Sequence, residues 1–98
     1  MDTNDTRYYI VRAQGAGVFA GNIKERNGKE VTMTNARRLW YWTGACSISQ
    51  LAMEGTKSPS TCQFTVTVDE VILTDVIEIN LCTEAAEKNI KAVAVWKK

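Results

Sequence analysis

The chain has 98 residues, 45% apolar and 23% charged, with twelve basic and eleven acidic side chains and a formal net charge of +1. That length holds one hydrophobic core, so a single domain over residues 1–98 is expected, with residues 1–6 as a flexible tail. The near balance of charge excludes a global positive field for nucleic acid, and no apolar run approaches the roughly 20 residues of a membrane-spanning helix, so any anion site must be local and no membrane role is expected.

Residues 7–13 (RYYIVRA) are aromatic and β-branched and read as a strand, ended by the turn-prone run 14–17 (QGAG). A second strand over 18–24 leads into Arg26-Asn27-Gly28-Lys29, where Asn-Gly is the preferred centre of a type I′ hairpin, and 30–34 (EVTMT) returns. Gly21 inside the outgoing strand marks a bulge or a close backbone approach. Residues 35–42 (NARRLWYW) show no helical stripe and read as extended, reached by a bend at Asn35. Extended geometry would put Arg38, Trp40 and Trp42 on one face and Arg37, Leu39 and Tyr41 on the other.

Ser47 is placed to cap a short helix through Glu54, with Ile48, Leu51 and Ala52 on its apolar edge and Gly55 closing it. A polar loop around Pro59 precedes the alternating run 62–68 (CQFTVTV), which reads as a half-buried strand. Asp69-Glu70 would be a turn, and 71–82 (VILTDVIEINLC) either one strand bulged near Thr74-Asp75 or two short ones. Thr83 can cap a last helix from Glu84 to about Lys91, and 93–96 ends the chain as a strand or packed tail. The pattern is α+β: a small, mostly antiparallel sheet or partly open barrel with one or two short helices packed on it.

Histidine is absent, which removes Ser-His and Cys-His catalysis, and Cys46, Cys62 and Cys82 form neither a CxxC pair nor an even set. The cysteines read as reduced, small apolar core side chains. No catalytic residue, cofactor or metal is expected, and the neighbouring acids Asp69, Glu70, Asp75 and Glu78 read as solvated. The run Gln14 to Gly17 beside Arg12 lacks phosphate-loop spacing, although its backbone amides offer a receptor for an anion.

Composition departs from the generic at residues 35–42, where Arg37 and Arg38 stand beside Trp40 and Trp42. Guanidinium groups make bidentate contacts with phosphate, and indole and guanidinium planes stack on bases. The same residues also anchor cores and protein interfaces, so core, subunit-contact and ligand roles compete. With Ser47 at a following helix start, Arg37, Arg38, Trp40, Trp42, Ser47 and Arg12 form the candidate ligand set, with the trio Arg38, Trp40 and Trp42 foremost. A core this thin and a segment this aromatic also lead us to expect a homo-oligomer, at least a dimer.

The stretch Ala16-Gly17-Val18-Phe19 with Gly21, the core Ala36-Arg37-Arg38-Leu39-Trp40-Tyr41-Trp42 with Gly44-Ala45, and SISQLA at 47–52 with Gly55 resemble a family of small bacteriophage and prophage proteins classed as a domain of unknown function. The resemblance runs from about Arg7 to Trp96, and Thr43 stands where other members carry an acid. It implies a phage origin and the cytoplasm of an infected bacterial host, but no activity. In size, lack of catalytic apparatus and Arg/Trp cluster the chain is similar to phage proteins that sequester cyclic nucleotide or cyclic ADP-ribose immune signals between subunits. The leading expectation is therefore a non-enzymatic sponge for an anionic, nucleotide-derived small molecule, with no specific nucleic acid as partner. A structural or protein-interaction module of the phage is the alternative, ahead of an enzyme.

Overall fold

Two tight turns fold the first half of the chain into an antiparallel meander of β1 (Tyr8–Ala13), β2 (Gly17–Asn27) and β3 (Glu30–Tyr41), in a computed structural model that describes residues 6–97. The expected tail at 1–6 lies outside the described residues except for Thr6, whose carbonyl accepts from Asn22 Nδ2 at 3.1 Å. The hairpin between β2 and β3 is shifted by one residue from the expected Asn-Gly centre. Asn27 pairs with Glu30, and of the loop residues only Gly28 has positive φ, so Gly28-Lys29 is the turn.

The meander continues through α1 (Ile48–Glu54), a 3₁₀ turn (Pro59–Thr61), β4 (Gln63–Phe64), β5 (Val68–Leu73), β6 (Val76–Leu81) and α2 (Glu84–Ala92). The six strands lie in the order β4-β3-β2-β1-β6, with β5 on the other half of β3, and every ladder is antiparallel. β5 and β6 occupy opposite edges yet are separated by Thr74 and Asp75 alone, so the sheet curls until its edges meet at that end. It remains unclosed, since no ladder joins β5 to β6, and the expected α+β architecture is what the chain adopts.

Curling buries both faces. On the helix side Tyr8, Ile10, Ala20, Leu39, Leu51, Phe64 and Ile90 form one cluster; inside the curl Val11, Phe19, Ile23, Val31, Met33, Ala36 and Leu73 form a second. Gly21 permits the bend, because a methyl group there would lie 2.8 Å from the Cα of Ala36. Opposite it, Ala20 pairs with Arg37 and Asn22 with Thr34, so β3 carries one extra residue; Asn35 absorbs it with a φ of 49°. The expected bend at Asn35 is thus a bulge within one continuous strand.

Two expected elements are redrawn. The alternation over 62–68 does not give one strand: Gln63–Phe64 form β4 and Val68 already begins β5, because the chain leaves the end of β3 after Phe64 and crosses to pair with its first half from Val68; Val66 and Val68, expected inside, are exposed. Asp69 and Glu70 lie within β5 and do not form a turn. The helices follow the sequence closely. Ser47 and Thr83 cap them by accepting from Gln50 N and Ala86 N, and Gly55 ends α1. Residues 93–96 run on as a largely exposed tail in which Val93 alone is buried; Val95 makes a parallel bridge with Phe64, and Trp96 N donates to Phe64 O at 2.9 Å.

Candidate ligand-binding surface

The bulge at Asn35 decides which of the two adjacent arginines faces the interior. It shifts the alternation so that Met33 and Ala36 point into the curl, and Arg37 points to the helix side. Arg37 is only 3% exposed. Its guanidinium donates to the carbonyls of Phe64 (3.0 Å), Thr65 (3.0 Å), Ile90 (3.0 Å) and Val93 (2.9 Å). Among the described residues no acid pairs with it. Burial pulls its pKa down from the ordinary value, and the neighbouring Tyr8 opposes this. With four donors spent on main-chain carbonyls, Arg37 ties the end of α2 to β4 and does not face a ligand.

Arg38 points the other way and is exposed. Its backbone is clamped by Thr65, whose Oγ1 accepts from Arg38 N at 3.1 Å and whose N donates to Arg38 O at 3.0 Å. The guanidinium lies over the ring of its cross-strand neighbour Phe19, 4.8 Å from the centroid. No carboxylate pairs with it among the described residues. A largely apolar concavity of about 280 Å³ opens beside it, lined by Phe19, Ala36, Val66, Val68 and Val71. Trp40 follows two residues on at a second irregularity, where Leu39 pairs with Phe64 and Tyr41 with Gln63, leaving Trp40 as the extra residue. Its indole is 62% exposed.

The other candidates lie elsewhere. β3 ends at Tyr41, so Trp42 leaves the strand's alternation and packs, half-buried, against the helix-side core; the expected trio does not share one face, and the concavity beside Arg38 is lined by neither Trp40 nor Trp42. Ser47 Oγ is engaged by Gln50 N at 3.1 Å, and Gln50 Oε1 accepts from Cys46 N at 2.7 Å, so this helix start is closed by its own side chains. Arg12 pairs with Glu78 at 3.6 Å and borders a separate concavity with Gln14, Gly15 and Ile77. The amide of Gln14 is already given to Asp75 O at 2.9 Å.

The sequence reading passed over Phe19, which only the register brings opposite Arg38, and misplaced Val66 in the core. The Arg38 backbone clamp by Thr65 was equally out of reach, since no local pattern links residues 27 positions apart. Of the cysteines, Cys62 is buried as expected, Cys82 half-buried and Cys46 exposed, the last contrary to its reading as a core side chain. Burial and the charge of Glu87 push the Cys82 thiol up to about 11, which keeps it protonated at neutral pH. The four neighbouring acids are dispersed: Glu70 pairs with Lys24 and Glu78 with Arg12, and among the described residues no group of three or more metal-binding side chains forms.

Neither the curated proteins nor the solved structures include a match to this chain. A family model does match, over residues 6–90, and the chain belongs to the family described as Domain of unknown function (DUF6948).

Proposed function

We propose that this protein is a non-catalytic binder of an anionic, nucleotide-derived small molecule, held between Arg38 and Trp40. The observation that carries the reading is the state of Arg38: a guanidinium without a carboxylate partner among the described residues, laid over Phe19 beside an apolar concavity. Stacking fixes the planar group and leaves its edge available for charge-assisted hydrogen bonds to phosphate. The exposed indole of Trp40 offers a plane for a base. Sequestration of a cyclic nucleotide or cyclic ADP-ribose type signal in a phage-infected bacterial cytoplasm is the biological role that this chemistry would serve.

The test is to incubate the protein with cyclic dinucleotides, cyclic trinucleotides and ADP-ribose isomers, remove unbound material, and identify what heat denaturation releases. Intact release of one compound supports sequestration; a chemically altered product points to an enzyme. Retention of none leaves the alternative, a protein-interaction module, which the exposed Val66, Val68 and Ile72 on and beside β5 favour.

A further inference from the structure

We propose that the concavity between the start of β1 and α2 is a second ligand site, which holds the phosphate group of a small molecule against the hydroxyl of Tyr8. The concavity measures about 540 Å³ and shares no lining residue with the one beside Arg38. Tyr8 lines it and is only 2% exposed, yet its hydroxyl makes no hydrogen bond among the described residues. Every fully enclosed side-chain nitrogen or oxygen among those residues has a partner, so the Tyr8 hydroxyl keeps an opening to the outside, and the concavity supplies it. Burial raises the Tyr8 pKa above its ordinary value against the opposing charge of Arg37, so at neutral pH the group is an O–H donor. A donor this deep gains most from an acceptor that enters the concavity.

The charges around that donor select an anion. Lys88 and Lys91 stand at i and i+3 on α2 and share its face toward the concavity, and Arg7 borders it from just before β1. Lys91 Nζ lies 5.2 Å from the centroid of the Tyr8 ring and 2.6 Å from Glu87 Oε2, so the charge of that acid is already met. Lys88 has no carboxylate partner among the described residues. The Cys82 thiol, protonated at neutral pH, adds no negative charge, which leaves Glu84 as the lining group that opposes an anion. Three cations thus stand against two acids around a buried hydroxyl donor. A phosphate monoester, with nearly two negative charges and strong acceptor oxygens, fits this arrangement, and the volume leaves room for a small polar body attached to it.

NMR titration of the isotope-labelled protein with glycerol 3-phosphate, and separately with inorganic phosphate, at constant ionic strength should shift the amides of Tyr8, Cys82 and Lys88 along saturable curves. Tighter binding of the ester identifies a phosphorylated metabolite as the source, and equal binding identifies free phosphate. Tyr8→Phe removes the hydroxyl alone. It should weaken phosphate binding about five- to tenfold while leaving the melting temperature unchanged or higher, because without ligand the hydroxyl has no partner to lose. Lys88→Ala should also weaken binding and Glu84→Gln should tighten it, both at exposed positions where the fold is indifferent. Arg38→Ala should leave this titration unchanged, which separates the site from the one proposed above. Shifts reproduced by chloride at the same ionic strength, or a Tyr8→Phe variant that binds phosphate as tightly as the wild type, would overturn the assignment. So would a Tyr8→Phe variant that melts several degrees lower, since its hydroxyl would then be bound within the protein.

Discussion

Arg37 donates through a single nitrogen, Nη1, to the carbonyls of both Ile90 (3.0 Å) and Val93 (2.9 Å), and so adds a buried positive charge at the C-terminal end of α2 to that of Lys91 in its last turn. The last carbonyls of a helix lack intrahelical partners, and a cation there also complements the helix dipole. The same guanidinium reaches β4 and holds the strand end from which Thr65 clamps Arg38. The two adjacent arginines thus divide the labour: one builds the platform and the other is presented on it.

Removing Arg37 takes a donor from four main-chain carbonyls in a largely buried region; Ile90 O keeps Val93 N and Phe64 O keeps Trp96 N, so the loss falls most heavily on Thr65 O and Val93 O. Arg37→Ala is expected to cost at least ~3 kcal/mol, and Arg37→Lys to recover only part of it, because a single ammonium cannot reach carbonyls arranged around a planar fork. Urea denaturation of the two variants beside the wild type measures both numbers. A loss below ~1 kcal/mol for the alanine variant would show the carbonyls to be solvated.

Asn89 provides a second internal tie. Its side-chain amide accepts from Thr56 N at 2.8 Å and donates to Thr56 O at 2.9 Å, so it pairs with one residue's backbone as a strand would and locks the loop after α1 to α2. Asn89→Ala is expected to destabilise the fold by ~1–3 kcal/mol and Asn89→Asp to fail to rescue it, since the carboxylate lacks the donor. Thermal melts of the two variants at neutral pH check this.

Alkaline solution should weaken the fold. Cys82 titrates near 8.5 in an unfolded chain and at about 11 in the folded one, and burial also raises Tyr8 above its ordinary value. For groups whose folded pKa is raised, the contribution is complete below the unfolded pKa and lost as pH rises toward the folded one. The melting temperature should therefore fall between about pH 8.5 and 11, and Cys82→Ala should flatten that fall relative to the wild type. Over the same range iodoacetamide should modify the exposed Cys46 well before Cys82.

Local signals carried much of the fold and rather little of the site. The capping residues Ser47 and Thr83, Gly55 at the end of α1 and the bend at Asn35 were all legible, because each acts through its own chain neighbours. What the bend does to Arg37 and Arg38 was not legible. Whether one extra residue at Asn35 sends Arg37 or Arg38 inward depends on β2, whose register is set by the close approach of Gly21 and Ala36. The alternation at 62–68 misled for a related reason: β3 is long enough to accept two partners in turn, and the crossing between them exposes Val66. Trp42 likewise follows the end of β3 rather than the periodicity that precedes it.

The central claim, that Arg38 and Trp40 hold an anionic nucleotide-type ligand, is tested most directly by isothermal titration of the compound recovered from the retention panel against wild type, Arg38→Ala and Trp40→Ala. Both side chains are exposed, so both variants should keep the wild-type melting temperature within a few degrees. Loss of the guanidinium should remove roughly 1.5–3 kcal/mol of binding, a ten- to hundred-fold fall in affinity, and loss of the indole roughly 1–3 kcal/mol. Folded variants that bind as tightly as the wild type, or a panel from which the wild type retains nothing, would contradict the account.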